Sequence, residues 1–333
     1  MKNIFSDIDW ETQLNSSIKE SIPVFFIMGA TATGKTDIAA LLSKYFPAEL
    51  VSVDSSLVYR GMDIGTAKPD TDFLAKYPHH LVDIREPDET YSVADFCRDV
   101  KILISDITSR GKVPILVGGT SFYFAALEKG LPDMPEADLR IRQKILDQAQ
   151  EVGWEAMHQK LKRLDQNSAQ RINANDPQRI QRALEIIELT GKPVVSLQKA
   201  RPVIANPIFK VAMTHSDRKV LHQRIHQRFH IMMEQGLASE IDSLLEKYSR
   251  DIPAFRMIGY RQYIQGIDNN ESIDSIVEKS IIATRQLAKR QLTWLRNQPN
   301  VLWQTVDAEK MMSTSQNLAN YCQFWLQNVI RFK

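Results

Sequence analysis

Residues 29–36 carry the strongest chemical signal in the chain. They match the pattern G-x-x-x-x-G-K-[ST], with an apolar run before them and a helical pattern after them. In such a loop, successive backbone N–H groups and the N-terminus of the helix bind an anion. The sequence therefore predicts a site for a diphosphate or triphosphate, and an ordinary glycine turn is the weaker interpretation. The residues predicted to bind the phosphates are Gly29, Ala30, Thr31, Ala32, Thr33, Gly34, Lys35 and Thr36.

The last two residues of this loop have separate expected roles. Lys35 is expected to reach the terminal phosphates, and the hydroxyl of Thr36 is expected to hold Mg²⁺. An ATPase or GTPase usually carries a metal-binding aspartate after a later apolar strand. Here the run Val113–Val117 ends in two glycines and Thr120 instead. A small-molecule kinase can dispense with that aspartate, so the loop alone leaves the ligand open.

Asp54 follows the second predicted strand, Leu50–Val53, and is the candidate general base. Ligands of open α/β sheets bind at the carboxyl ends of the strands. At that position the carboxylate can act as a general base, as an outer ligand of Mg²⁺ or as a cap of the following loop. The residue types alone leave these three roles open.

Apolar runs that alternate with helical patterns predict the elements that position these residues. Strands that are apolar along their whole length indicate a parallel sheet covered on both faces. The predicted fold is therefore α/β, with a P-loop NTPase-like parallel sheet as its core. The expected elements are strands at Val24–Met28, Leu50–Val53, around Leu81–Asp83 and at Val113–Val117, and helices over 36–45 and 92–109.

The composition changes after residue 132, and this change predicts the domain organisation. Residues 133–199 are rich in Gln, Arg, Asp, Glu and Leu and are expected to form a mostly helical insertion domain. The core then comprises residues 22–132 and 200–333, after a lead-in of residues 1–21. In its second part we expect a strand and a helical C-terminal region. These elements are the strand Phe209–Met213 and helices over 217–235, 237–248, 272–297 and 315–330.

The overall composition excludes several classes of protein. The 333 residues are 43% hydrophobic and 25% charged, as in average soluble proteins, and the net charge is +2. Two cysteines are too few for a disulfide framework or a four-cysteine zinc site. The apolar runs are too short to span a membrane. We therefore expect a cytoplasmic protein with no membrane segment, and a monomer because no oligomerisation face is evident.

Five sequence blocks follow one another in an order that resembles one family. They are DSSLVYRGMDIGTAKP at 54–69, GGTSFY at 118–123, NDPQRIQRALE at 175–185, RMIGYRQ at 256–262 and TRQLAKRQLTWLR at 284–296. Together with the phosphate loop, these blocks resemble those of the bacterial tRNA dimethylallyltransferases, also called tRNA isopentenyltransferases. The resemblance extends from the first predicted strand to the last of the blocks.

The resemblance implies an activity and roles for the candidate residues. Members of this family transfer a dimethylallyl group from dimethylallyl diphosphate to N6 of adenosine 37, next to the anticodon of tRNA. By this resemblance Asp54, Thr120 and Lys35 are catalytic. Asp54 accepts the proton from N6, Thr120 hydrogen-bonds near the same centre, and Lys35 stabilises the leaving diphosphate. Arg224 and Arg228, four residues apart, are expected to help to bind that diphosphate, and an exposed basic helix face is the alternative interpretation. Mg²⁺ is the implied cofactor.

The same blocks imply the surface that binds the anticodon stem-loop of tRNA. Residues 281–296 contain no acid, and Arg285, Lys289 and Arg296 share one face of the predicted helix. A basic face that only contacts solvent is the alternative interpretation. The residues implied to contact tRNA are Asp54, Ser55, Ser56, Leu57, Thr120, Arg142, Gln178, Arg179, Ile180, Gln181, Arg182, Arg256, Met257, Ile258, Gly259, Tyr260, Arg261, Lys289, Arg290, Gln291, Leu292, Thr293, Trp294, Leu295 and Arg296.

Two other functions are alternatives to a prenyltransferase. The first is a P-loop small-molecule kinase, which has the same core fold and produces ADP from ATP. The second is a non-enzymatic RNA-binding protein with a vestigial phosphate loop. The second fits poorly, because Gly34, Lys35, Thr36 and Asp54 are all present.

Overall fold

The computed structural model describes residues 22–132, 134–197, 200–306 and 313–320. The predicted lead-in, residues 1–21, lies outside the described residues. Of the helix predicted over 315–330, residues 315–320 are helical, as are 313–314 before them, and the rest lies outside the described residues. In chain order the elements are β1 (Val24–Gly29), α1 (Lys35–Leu42), β2 (Ala48–Val53), α2 (Thr71–Lys76), β3 (His79–His80), α3 (Val93–Ser109), β4 (Val113–Gly118), α4 (Ser121–Lys129), α5 (Leu139–Leu164), α6 (Gln166–Arg171), α7 (Pro177–Thr190), β5 (Ile208–Thr214), α8 (Arg218–Glu234), α9 (Leu237–Lys247), α10 (Tyr260–Asp268), α11 (Ile273–Arg296) and β6 (Val301–Thr305).

The strands form one parallel sheet in the order β3-β2-β4-β1-β5-β6, which confirms the predicted α/β core. Every residue of β1 and β4 is buried. Burial on both faces explains why these strands read as continuous apolar runs. On one face Phe25 packs edge-on against Phe46, at 5.7 Å between ring centroids. On the other, Phe26 packs against Phe124 at 4.9 Å.

The pairing register brings the ends of three strands together. Gly118, the last residue of β4, pairs with Val53 of β2 on one side and with Met28 of β1 on the other. Paired strands lie about 4.8 Å apart. The residues that follow these ends, which are the phosphate loop, Asp54 and Gly119, therefore start side by side at one edge of the sheet. This edge is where parallel α/β sheets bind ligands.

A second compact unit comprises Ala125–Val203, and all regular secondary structure among its described residues is helical. Its boundaries differ by a few residues from the predicted 133–199, and in the chain it is inserted between β4 and β5. Its core contains Ile145, Leu161, Ile180 and Leu184 from α5 and α7. Helix α5 kinks at Gly153, whose φ of 80° is readily adopted only by glycine.

Several predicted elements need correction. The strand expected around Leu81–Asp83 is wrong, because Leu81 and Asp83 have φ values of 64° and 55°, which no strand accommodates. The strand at this edge is the short β3 just before them. The sequence reasoning also missed β6 and α10. Among the described residues, no helix combines the length and apolar character that crossing a membrane requires.

Candidate active site

The phosphate loop is shaped largely by its own residues. Gly34 has a left-handed φ of 82°, and Ala32 also has a positive φ, of 62°. Only glycine adopts this conformation without steric cost, so Gly34 allows the turn into α1. The Thr33 hydroxyl donates to the carbonyl of Ala30 at 2.8 Å, and Lys35 Nζ donates to the same carbonyl at 3.4 Å. The loop is therefore braced across its own turn.

Lys35 has an electrostatic environment suited to an anionic ligand. The pKa of its ammonium is lowered from 10.5 to about 8, mainly by burial; the carboxylate of Asp54 opposes this shift, and nearby Arg228 adds to it. A desolvated cation gains most from a negative ligand that replaces the lost water. The buried position of this ammonium thus favours a strongly anionic group, such as a diphosphate, beside Lys35.

Helix α8 and the end of β5 bring further cationic and polar groups to the loop. Arg224 Nε donates to the Ala32 carbonyl at 2.9 Å, and His215 Nε2 lies 3.3 Å from the same oxygen. Arg228 Nη1 contacts the Thr31 hydroxyl at 3.5 Å. Burial lowers the pKa of Arg228, although the nearby Asp54 carboxylate raises it. The structure places Arg224 and Arg228 beside the phosphate loop.

The contacts of Asp54 show one of the three roles that the sequence left open, the cap of the following loop. Its Oδ1 accepts hydrogen bonds from the backbone N–H of Ser56 at 2.9 Å and from the Ser56 hydroxyl at 2.6 Å. The carboxylate therefore caps its own loop. Among the described residues no protein donor reaches Oδ2. One oxygen holds the side chain in place while the other remains able to accept a proton.

Thr120 is held next to Asp54 by backbone contacts between two strand ends. Its N–H donates to the carbonyl of Val53 at 3.2 Å, and its hydroxyl accepts from the N–H of Ser55 at 3.1 Å. This approach requires glycine at 118, because a Cβ there would lie 2.0 Å from the Val53 carbonyl oxygen. The Gly-Gly-Thr turn thus positions a hydroxyl beside the residue that follows Asp54.

Gln291 lies where the sequence reasoning did not place it. It was predicted to contact tRNA, but its side chain is turned inward and the residue is only 9% exposed. Its Oε1 accepts from the N–H of Thr31 at 3.0 Å, and its Nε2 donates to the carbonyl of Gly119 at 2.7 Å. The amide therefore connects the phosphate loop to the Gly-Gly-Thr turn.

The loop that follows Asp54 is held by a residue that sequence reasoning missed. Glu240 of α9 accepts hydrogen bonds from the N–H groups of Asp63, Ile64 and Gly65 at 2.8, 2.7 and 3.1 Å. It also accepts one from the hydroxyl of Tyr260 at 2.6 Å. Tyr260 was predicted to contact tRNA, but it is 0% exposed, so its side chain supports this loop from within the protein. Burial raises the pKa of this tyrosine, and the neighbouring Glu240 raises it further.

The remaining predicted tRNA contacts of this unit divide into exposed and buried residues. Leu295 is buried, as is Gly259, and the Nε of Arg285 is buried without a hydrogen-bond partner among the described residues. The half-buried predicted contacts of the last two sequence blocks are Met257, Ile258, Leu292 and Trp294. Those with exposed side chains are Ser55, Arg256, Arg261, Lys289, Arg290, Thr293 and Arg296; Ser56 and Leu57 are half-buried.

In the second unit, a buried acid organises two predicted tRNA contacts. Glu185 is 0% exposed and pairs with Arg142 Nε at 3.0 Å and with Arg182 Nη1 at 2.7 Å. The sequence signal for this role is an acid within the apolar face of α7, between Leu184 and Ile186. Ile180, also a predicted contact, is buried in the core. Gln178 and Arg179 are exposed, and Gln181 donates to the carbonyl of Arg142 at 3.2 Å.

A magnesium ion at the phosphate loop would have to be held mainly by its ligand and by water. Among the described residues, no group of three or more His, Cys, Asp or Glu side chains is arranged to hold a metal. Mg²⁺ commonly binds through few protein oxygens together with substrate phosphates and water. The half-buried Thr36 follows Lys35 in the phosphate loop and offers one such oxygen.

Comparison with known proteins gives consistent matches along most of the chain. Residues 57–298 match the family described as IPP transferase. A tRNA dimethylallyltransferase from Thiobacillus denitrificans is 51% identical over 284 residues, which cover 84% of this chain and 90% of that protein.

Solved structures match over similar lengths. The full-length tRNA isopentenylpyrophosphate transferase from Bacillus halodurans is 36% identical, with a TM-score of 0.68 over 94% of this chain and 99% of that one. A eukaryotic dimethylallyltransferase acting on tRNA is 26% identical, with a TM-score of 0.77 over 92% of this chain and 80% of that one.

Proposed function

Since the chain belongs to the IPP transferase family, we propose that it transfers a dimethylallyl group from dimethylallyl diphosphate to N6 of adenosine 37, next to the anticodon of tRNA. One observation carries the assignment of the chemistry to this site. Asp54 Oδ2, which accepts no hydrogen bond from the part of the chain that the structure describes, lies at the same sheet edge as the desolvated Lys35 and its phosphate loop. A proton acceptor and a cationic diphosphate site therefore stand next to each other.

On the donor side, the protein binds and stabilises the diphosphate. The phosphate loop, Lys35, Arg224 and Arg228 together supply N–H groups and positive charge. Charge that develops on the departing diphosphate is stabilised by fixed donors in a partly dehydrated site. A bound Mg²⁺, held by Thr36 and the diphosphate, would supply additional positive charge to the leaving group.

On the acceptor side, Asp54 takes the proton that N6 loses. The C–O bond of the donor breaks, the N6–carbon bond forms, and diphosphate leaves with the bonding electrons. The lone pair of N6 is delocalised into the purine, so removing its proton assists the new bond. The Ser56 contacts fix Oδ1, so Oδ2 is the oxygen that receives the proton. Thr120 and Ser55 line the same strand ends.

On the RNA side, exposed cations bind the anticodon stem-loop. Lys289, Arg290 and Arg296 project from α11, and Arg256 and Arg261 lie exposed before and within α10. Phosphate contacts of this kind fix the position of the RNA, and the target adenosine leaves its stack to react. We further propose that the second unit contributes Gln178 and Arg179 to this binding, and that the protein acts as a cytoplasmic monomer.

The direct test is to incubate the protein with Mg²⁺, dimethylallyl diphosphate and unmodified tRNA, and to weigh the digested nucleosides. We expect an adenosine heavier by one C5H8 unit. Formation of ADP from ATP, without any modified adenosine, would replace the proposal by a P-loop kinase. RNA binding with neither product would indicate a non-enzymatic RNA-binding protein.

A further inference from the structure

We propose that Gln291 is a positioning residue that aligns the donor loop with the acceptor turn and couples both to the RNA-binding helix. The inference rests on the proposed function, because it assigns the phosphate loop to the donor and the Gly-Gly-Thr turn to the acceptor side. It concerns a residue that belongs to a block implied to contact RNA, but whose side chain turns away from solvent.

The side-chain amide of Gln291 makes a pair of hydrogen bonds to two different loops. Oε1 accepts from the Thr31 N–H, while Nε2 donates to the Gly119 carbonyl. These two backbone groups belong to loops after different strands, and they are 260 and 172 residues from Gln291 in the chain. An ionised carboxylate cannot replace the amide, because it accepts hydrogen bonds and donates none.

Glycine at position 119 leaves space for this amide, because it carries no Cβ. A Cβ at Gly119 would lie 2.6 Å from Gln291 Nε2 and 3.2 Å from the carbonyl oxygen of Gly29. The turn, the phosphate loop strand and the glutamine therefore pack in direct contact. Gly119 immediately precedes Thr120, whose hydroxyl accepts from Ser55 beside Asp54. A displacement of Gln291 would therefore disturb both the phosphate loop and the turn that carries Thr120.

Gln291 lies on the buried side of α11. Ala288, Gln291 and Leu295 form the buried side of this helix, whereas Lys289, Arg290 and Arg296 are exposed. RNA bound to the exposed cations would fix the helix whose opposite side holds both loops. Because a fixed helix keeps both loops in place, RNA binding should strengthen donor binding, and by reciprocity donor binding should strengthen RNA binding by the same factor.

Gln291→Met tests the claim, because it keeps the length of the side chain and removes both hydrogen bonds. The measurements are the single-turnover rate at saturating donor and anticodon stem-loop, and the donor Kd with and without stem-loop. We expect the rate to fall about 10- to 100-fold, as for small misalignments of reacting groups. We expect the stem-loop Kd to stay within about 3-fold of the wild-type value. We expect the donor Kd to become nearly the same with and without stem-loop. Gln265→Met, at an exposed position of α10, is the matched control.

Gln291→Glu gives an independent readout through the pH profile and decides the matter if the Met variant does not fold. In this variant the ionised carboxylate retains an acceptor for the Thr31 N–H but cannot donate to Gly119, whereas the protonated acid can donate. We expect the rate of this variant relative to wild type to rise as the pH falls. A merely structural glutamine would give a ratio independent of pH.

Two results would overturn the inference. One is a wild-type single-turnover rate in a folded Gln291→Met protein. The other is a loss confined to stem-loop affinity, which would make Gln291 a direct RNA contact. Both require that wild-type enzyme modifies the stem-loop in the same assay. If wild type itself forms no dimethylallyl adenosine, it is the proposed function that fails.

Discussion

The phosphate loop and the loop that follows β2 begin side by side at one sheet edge, but different kinds of contact hold them. The turn of the phosphate loop is built by neighbours: the positive φ of Gly34 and two hydrogen bonds to the Ala30 carbonyl. The loop at 54–68 is held by Glu240, whose bonds to it span 175 to 177 residues. The turn of the first is specified within a short motif, although Arg224 and Gln291 also contact this loop from far along the chain. The support that Glu240 gives the second exists only in the folded chain.

This difference also separates the chemistry of the two loops. The phosphate loop offers main-chain donors and Lys35 to a ligand that most members of its fold class bind. The neighbouring loop carries Asp54, which the proposed function makes the proton acceptor. Changes in the two loops should therefore have distinguishable effects, and five experiments measure them.

The largest effect is expected from Lys35→Ala on the donor side. Loss of a charge that stabilises the leaving diphosphate should slow single-turnover transfer by about 10²–10³-fold or more. Affinity for tRNA should be almost unchanged, because Lys35 belongs to the phosphate loop and not to the exposed basic surface. A gel-shift assay measures the tRNA affinity. A collapse of tRNA binding in this variant would contradict the assignment of Lys35 to the donor alone.

Asp54→Asn tests the acceptor side at nearly constant shape. Asn retains an oxygen for the Ser56 N–H but takes no proton, so the chemical step should slow by about 10²-fold. Donor and tRNA affinities should stay within a few-fold of wild type. Single-turnover rates with pre-bound tRNA are the measurement, since they exclude product release. Near-normal chemistry would limit Asp54 to its capping contact.

Combined neutralisation of Lys289, Arg290 and Arg296 tests the RNA surface apart from both loops. The dependence of log Kd on log salt should flatten by up to about three phosphate equivalents. The turnover of bound tRNA should change little. Arg285→Ala is the comparison, because its Nε is buried and it should alter the salt slope less. An unchanged slope in the triple variant would show that these three cations contact solvent and not the RNA phosphates.

The pH dependence of donor binding reports on Lys35. Its pKa of about 8 means that the ammonium is charged below pH 8 and becomes neutral above it. If only the charged form binds the diphosphate, donor affinity should fall about 10-fold between pH 7 and pH 9. Isothermal titration in buffers of different ionisation enthalpy should detect proton uptake above pH 8. Lys35→Arg should bind donor with a flat profile, and a flat wild-type profile would contradict the assignment.

The smallest effect on transfer is expected from Glu240→Gln, which addresses the long-range support of the Asp54 loop. A neutral amide has one acceptor oxygen for four donors, so the free energy of unfolding should fall by about 1–3 kcal/mol. Transfer should fall only a few-fold at low temperature. Glu246→Gln, at an exposed position of the same helix, is the control in a thermal melt. Equal melting temperatures for the two variants would show that Glu240 does not hold the loop.

Much of the fold was predictable because its elements have local signatures. Continuous apolar runs identified β1, β2, β4 and β5, since strands buried on both faces admit few polar residues. The strand expected at Leu81–Asp83 was wrong, because a short apolar stretch does not reveal a left-handed backbone. Strand β6 was not predicted, because it is only partly buried and its residues do not form a continuous apolar run.

By itself the sequence determined the phosphate loop, the parallel α/β core and the position of Asp54 after a strand, because each depends on residue types within a few positions. The tertiary structure alone decided which motif residues face inward. Successive residues of a helix point about 100° apart, so Gln291 and Arg290 are neighbours in one block and lie on different sides of α11. Only packing against the ends of β1 and β4 selects the buried side. The partners of Gln291, Glu240 and Tyr260 were therefore beyond any local pattern.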